Sequence, residues 1–228
     1  MAPWFGRGRA QHKALSSLAD AGGPLVRYAE QGLPDPATPA AELRLLAIDV
    51  ETTGLDPATG HLLSVGFVPV DGHAVALSGA RRLHVRPPDG VGVSATIHGL
   101  TDDLLAQGIP PRAALDAVIE ALTGRVLLAH YARLEVGFLA QACRTAYGRE
   151  LPLRVIDTLE LGRRALPAMT QPAPGSLRLW TLRERFGLPV YPAHDALQDA
   201  LACAELYLAQ VAELEARSTR AVSLKTLM

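Results

Sequence analysis

Two carboxylates, Asp49 and Glu51, close an apolar run that starts at Leu45 and leads into the polar turn Thr52-Thr53-Gly54. The run reads as a buried strand, and residues i and i+2 of a strand point to one face. The two acids therefore stand side by side. Like charges at that spacing repel, and neither is easily buried alone. A hard divalent cation relieves the conflict, because Mg²⁺ binds through one or two carboxylates together with substrate phosphates. Solvated acids at a strand edge give the same pattern, so the pair gains meaning only from what joins it.

Three residues could join it. Glu135 falls in the first turn of a helix that follows the apolar strand Val126 to His130. His194 lies in a loop after Pro192, and Asp199 lies one turn into the last helix, five residues later. Crossover connections bring strand ends to one side of an α/β sheet, where sites form. Four carboxylates and one imidazole are a set suited to metal binding and proton transfer. Taken singly each has a plainer reading: Glu135 as an acid at a helix N-terminus, Asp199 as an exposed helix residue, His194 as a loop residue.

The elements that would hold these groups follow from the pattern of apolar residues. Strand one runs to about Glu51, and a second strand spans Leu62 to Val70. The Asp71-Gly72 pair then signals a hairpin, with a third strand from Ala74 to Val85. Helical spacing follows over Ala113 to Leu122 and Leu134 to Tyr147, ending at Gly124 and Gly148. Val155 to Asp157 is a short strand leading into helix Thr158 to Arg164. Ser176 is a candidate N-cap for a helix from Leu177 to Phe186, and Asp195 for one from Ala196 to about Arg217. A three-strand meander followed by alternating helices and buried strands predicts an α/β domain, its mixed sheet covered by helices on both faces.

Bulk properties narrow the classes. The chain has 228 residues, 49% of them hydrophobic, and a formal net charge of -1. That supports one packed domain and argues against a basic protein that coats duplex nonspecifically. Contact with nucleic acid would be local and metal-assisted. Cys143 and Cys203 sit in helix-like stretches and read as buried free thiols of a reducing compartment. No apolar run approaches the ~20 residues of a membrane span, and no secretory signal is evident at the start. A cytoplasmic protein that does not enter membranes is expected. Residues 1–42 read as a helical extension and linker, loosely ordered and packed on the domain, residues 43–217 as the domain that carries the chemistry, and 218–228 as a short tail.

The motifs in their order resemble a known family. Asp49-Val50-Glu51-Thr52-Thr53-Gly54-Leu55, Ile97-His98-Gly99-Leu100-Thr101, Ala129-His130 with an acid at 135, Asp157-Thr158-Leu159 and His194-x4-Asp199 are similar to the DEDDh branch of 3′–5′ exonucleases. Within it the resemblance is to the proofreading epsilon subunit of bacterial DNA polymerase III and its stand-alone relatives, over roughly residues 43–212. It implies a ribonuclease H-like exonuclease fold and hydrolysis of DNA from 3′ ends to nucleoside monophosphates. It also implies two Mg²⁺ or Mn²⁺ ions, held ~3.5–4 Å apart in sites of this kind. By resemblance, Asp49 bridges the ions, Glu51 and Asp199 hold the one that carries the attacking water, and Glu135 supports the other. His194 takes the proton of that water. Thr52, Thr53 and Gly54 would contact the terminal nucleotide through backbone amides, with Leu55 as a wedge and His98 beside them. The family sets an aspartate where this chain has Glu135, in a His-Asn-Ala-x-Phe-Asp pattern that here reads His130-Tyr131-Ala132-Arg133-Leu134-Glu135. The longer acid puts metal preference in question.

Two other readings stay open on the sequence: an exoribonuclease of the same branch, and a non-catalytic nucleic-acid-binding scaffold. The expected partner is a single-stranded or frayed DNA 3′ end, or RNA under the second reading. The chain after Arg217 offers no docking domain and no clear clamp-binding pattern. A stand-alone repair or nucleotide-recycling nuclease is therefore expected rather than a polymerase subunit.

Overall fold

The computed structural model describes residues 13–87, 101–167, 170–192 and 194–228. His98, with the other residues of its motif before Thr101, lies outside them. The central strand β1 (Arg44–Thr52) pairs antiparallel with β2 (Leu62–Asp71) and parallel with β5 (Val126–Ala129), which in turn pairs parallel with β6 (Val155–Asp157). On the far side of β2 lie β3 (Ala74–Val75) and β4 (Arg81–His84), both antiparallel to it. The sheet is mixed, as the patterning predicts, and because β1, β5 and β6 are parallel their C-terminal ends share one edge.

The expected third strand is not continuous. The amide of Ala76 donates to the Pro69 carbonyl of β2 at 2.9 Å. The N–H that Pro69 lacks would point the same way, toward the outer strand. The ladder therefore breaks there, and residues 77–79 form a single 3₁₀ turn between β3 and β4. The expected helix from Ser176 also starts later, as α6 (Leu179–Arg185), because Ser176 spends its hydroxyl on the Ala173 carbonyl instead of a helix cap.

Alternation along β1 splits the core in two. Leu46, Ile48 and Val50 pack on one face with α1 (Pro24–Gln31), α3 (Pro111–Leu122) and α4 (Arg133–Tyr147), which follow and precede the short α2 (Asp102–Ala106) in the chain. Leu45 and Ala47 pack on the other with α5 (Thr158–Arg164), α7 (Ala196–Arg217) and α8 (Leu224–Leu227). Asp49 and Glu51 continue the second row, so they face α7.

The segments flanking this core are built into it. Leu18, Leu25 and Tyr28 are fully buried, and the Tyr28 hydroxyl donates to the Pro152 carbonyl at 2.7 Å. Residues 36–40 exchange backbone hydrogen bonds with 222–225, and Leu224 and Leu227 are fully buried. The described residues before β1 are thus packed on the domain. Cys143 and Cys203 are buried free thiols, as their surroundings imply. Among the described residues no helix is long and apolar enough to cross a membrane.

Candidate active site

Asp49 stands opposite Gly66 of β2 in the antiparallel register. A β-carbon on Gly66 would lie 2.1 Å from the Ala196 carbonyl carbon and 2.2 Å from the Leu197 nitrogen. The bare glycine thus lets the first turn of α7 rest directly on the sheet. Asp195 caps that turn through the amides of Leu197 and Gln198 and pairs with Arg82 of β4. Asp199 follows one turn later and meets the acids of β1. Carboxylate oxygens of Asp49, Glu51 and Asp199 all lie within 4.8 Å of one another. A register shift between Glu51 and Thr52 marks a bulge at the end of β1, a device that re-aims side chains beside functional sites.

Glu135 comes from the other side, on the first turn of α4. It is 2% exposed. After burial, its charge is the strongest influence holding the Asp49 carboxyl well above the usual carboxylate range. Burial, then Asp199 and Asp195, push Glu51 up to about 7. Burial, with Asp157 beside it, pushes Glu135 up to about 8. Asp199 is raised by burial too, although the His194 amide partly offsets this by donating to its Oδ2 at 3.0 Å. These are acids crowded out of water, and each favours the proton to relieve its neighbours.

Glu135 Oε2 and Asp199 Oδ1 are buried and make no hydrogen bond. Unpaired carboxylate oxygens that converge with other acids are a poor ending for a fold unless something accepts their lone pairs. A hard divalent cation fits that donor set, being bound by oxygen and stabilised by the very charges that otherwise repel. Asp49, Glu51 and Asp199 would hold it, with Glu135 next to Asp49 for a second.

His194 is exposed, with φ at 68°, and its backbone ties to Asp199. The loop before it is moored by a residue the sequence reading missed. Arg183 of α6 is 1% exposed and donates to the carbonyls of Ala202 and Pro189 and to Glu205, which also accepts from the Tyr191 hydroxyl. A second missed residue is Asp157. Its carboxylate accepts from the amides of Tyr131 at 2.9 Å, Ala132 at 3.0 Å and Leu159 at 2.9 Å. It thereby fixes the turn that delivers Glu135, with Tyr131 held at φ 64°. His130 hydrogen-bonds Thr158 through Nδ1 at 2.8 Å, and burial lowers its imidazole to about 4. The only hint of these roles in the sequence was the strand-ending Asp157-Thr158 itself.

The turn after β1 is closed by reciprocal bonds. Thr53 N–H donates to the His61 carbonyl at 3.0 Å, and His61 N–H donates to Thr53 Oγ1 at 2.9 Å. The Thr52 hydroxyl donates to the Gly54 carbonyl at 2.7 Å. The Thr53 amide is therefore engaged within the turn. Around Gly54 a β-carbon would meet open space, and Leu55 is 82% exposed at the tip.

Comparison with known proteins agrees with this geometry. The RNase_T family model, described as exonuclease, matches residues 46–207. The epsilon subunit of DNA polymerase III from Treponema pallidum is 28% identical over 169 residues, covering 73% of this chain and 75% of its own. PolC-type DNA polymerase III of Bacillus subtilis is 30% identical over 201 residues, covering 85% of this chain but 13% of that one. Among solved structures, E. coli exonuclease I in complex with a dT13 oligonucleotide matches with a TM-score of 0.62 and 19% identity, over 77% of this chain and 43% of that one. The chain thus spans less than half of exonuclease I and about an eighth of the PolC-type polymerase. The likeness to exonuclease I carries the ribonuclease H-like fold.

Proposed function

Because the chain belongs to the exonuclease family whose model spans residues 46–207, we propose that it is a 3′–5′ exonuclease that hydrolyses DNA from 3′ ends to nucleoside monophosphates with two Mg²⁺ or Mn²⁺ ions. The observation that carries the proposal is the convergence of Asp49, Glu51 and Asp199 within 4.8 Å, with Glu135 against Asp49 and two of the acids' buried oxygens unpaired. Bound at these acids, the ions would supply Lewis-acid polarisation of the phosphodiester and a lowered pKa for the attacking water.

The chain's own groups do the rest. Asp49 and Glu51 are fixed by sheet register, and Asp199 by the seat of α7, so the acids wait in place without reorganising. His194, exposed beside Asp199, is the base that takes the proton of the attacking water. Its exposure suits a group that must pass that proton on to solvent. The tip at Gly54 and Leu55 holds the terminal nucleotide, Leu55 offering an apolar face that accepts any base. DNA as the substrate is supported by relatives named as DNA polymerase III epsilon and PolC, and by exonuclease I bound to dT13; the 3′–5′ polarity is supported by the resemblance of the motifs at 49–55 and 194–199.

The test is stepwise shortening of a 5′-labelled oligonucleotide by purified protein with Mg²⁺ or Mn²⁺. DNA and RNA should be run side by side, since the 2′-hydroxyl is what separates them. The His194→Ala variant should lose on the order of 10²-fold or more in rate while keeping its fold. A folded protein inert with both metals and both nucleic acids would exclude the enzyme and leave a binding scaffold.

A further inference from the structure

We propose that the hollow between Tyr131 and residues 172–179 is a stacking subsite for an internal nucleobase of the substrate strand, on the 5′ side of the bond that is cut. The proposal rests on the nuclease reading above and extends it beyond the end nucleotide. The hollow has a volume of about 520 Å³ and is lined by His130, Tyr131, Leu159, Pro172, Arg178 and Leu179, among others.

Tyr131 is the unusual wall of this hollow. Its φ of 64° lies in the left-handed region, which side chains with a β-carbon rarely adopt and aromatic ones hardly at all. Asp157 holds it there through the Tyr131 and Ala132 amides. A strained residue persists only where its surroundings over-determine it, and such residues gather at working sites. Here the strain turns a large ring outward: Tyr131 is 51% exposed and borders the hollow. Asparagine adopts this backbone far more readily than an aromatic residue. The tyrosine is thus a choice the backbone does not favour, and its ring must serve something other than folding.

The surroundings say what the ring meets. The His130 imidazole lines the hollow while engaged with Thr158. Leu159, Pro172 and Leu179 line it too, and Arg178, an exposed residue, brings a guanidinium to the same hollow. A largely apolar lining with an aromatic ring and one cation suits a base with its phosphate, the pairing of aromatic stack and basic group that holds single strands without regard to sequence.

Position then assigns which base. Tyr131 follows β5 and Leu159 follows β6, at the same sheet edge as the acids of β1. Two strand spacings of ~4.8 Å separate β1 from β6. A ligand that reaches both the acids and the hollow is therefore long. The end nucleotide is assigned to the tip at Gly54 and Leu55, beyond β1. The hollow, beside the ends of β5 and β6, receives the strand further from its end.

Two variants test this. Tyr131→Asn removes the ring and relaxes the backbone, so loss of folding is not expected; Tyr131→Phe keeps the ring. Oligodeoxynucleotides carrying one 2-aminopurine at successive positions from the 3′ end are titrated into the His194→Ala protein with Mg²⁺, in each background. Fluorescence should be quenched at one internal position with Tyr131 or Phe, and the quench should be lost with Asn. In the otherwise wild-type enzyme, Tyr131→Asn should raise KM for an oligonucleotide about 10-fold. It should leave hydrolysis of the p-nitrophenyl ester of thymidine 5′-monophosphate unchanged, since that substrate is too short to reach the hollow. An Asn variant that cuts and quenches like wild type overturns the subsite and leaves the nuclease standing. A wild-type protein that shows the Tyr131-dependent quench but cuts nothing overturns the nuclease and keeps the subsite.

Discussion

The two walls of the acidic cleft are built differently. On one, Asp49, Glu51 and Asp199 are placed by regular structure: strand alternation, antiparallel register and a helix seated on a bare glycine. On the other, Glu135 is placed by a turn that is irregular and strained, clamped by two amide hydrogen bonds to a single carboxylate, Asp157, which also caps α5. The first wall follows from the geometry of sheet and helix and is hard to alter without moving either. The second is a local arrangement, held by one turn and one carboxylate rather than by the register of sheet and helix.

The sharpest way to break the first wall is Gly66→Ala. The new methyl group would meet backbone atoms of α7 at 2.1–2.3 Å, and no side chain can rotate to make room. The helix must lift, carrying Asp199 away from Asp49. Overpacking of this kind costs about 1–3 kcal/mol or more, a fall in Tm of roughly 2–12 °C for a chain of this size. A displacement approaching 1 Å at the acids should lower kcat about 10²-fold. Thermal melting and steady-state nuclease assays check both. A variant that melts lower but cuts at the wild-type rate would show that the seat of α7 does not set the site.

That glycine illustrates what the sequence could and could not tell. Asp49 and Glu51 were legible because a period of two needs no partner to interpret. Asp199 was legible through its distance from His194 and the helix around it, and α7 begins at Ala196 with Asp195 as its cap, as read. Gly66 carried no such signal, since its importance lies in a helix about 130 residues later that happens to cross it. Arg183 was hidden for the same reason: an arginine in a short helix reads as solvated until tertiary structure buries it among carbonyls. The third strand is not a continuous element because Pro69, on the directly paired strand β2, withholds an N–H from the edge where it would continue.

The second wall breaks more gently, with Asp157→Asn. An amide offers one acceptor oxygen in place of a carboxylate's two, and charge-assisted bonds become neutral. Losing them should cost about 1.5–3 kcal/mol. The consequence for activity is indirect. Tyr131 and Ala132 are released from the turn, and Glu135 loses its fixed approach to Asp49. We expect kcat to fall about 10-fold at saturating Mn²⁺, with the metal concentration needed for half-maximal rate raised by a similar factor. The comparison of walls predicts a contrast: Gly66→Ala should not be rescued by excess metal, whereas Asp157→Asn should be in part. Equal rescue of both would mean that the walls are not independent.

The smallest effect, and the one that reads both walls at once, is the pH dependence of metal-free stability. Glu51 is raised from 4.5 to about 7 and Glu135 from 4.5 to about 8, burial being the first cause of each. In both cases the folded state binds its proton more tightly than the unfolded state. Stability then falls with rising pH wherever the folded chain holds more protons. The contribution is fully present below about pH 4.5 and is lost as pH rises through about 7 for Glu51 and about 8 for Glu135. Metal-free protein in chelator should therefore lose several degrees of Tm between pH 5 and pH 8. Glu51→Gln should abolish the part of the fall that ends near pH 7, and Glu135→Gln the part that continues to pH 8. Saturating Mn²⁺ should reverse the slope, because a cation favours the ionised acids and must displace their protons to bind. If the wild-type melting temperature is flat over this range without metal, the acids are better solvated than their burial implies, and the crowding that makes this cleft a metal site is not there.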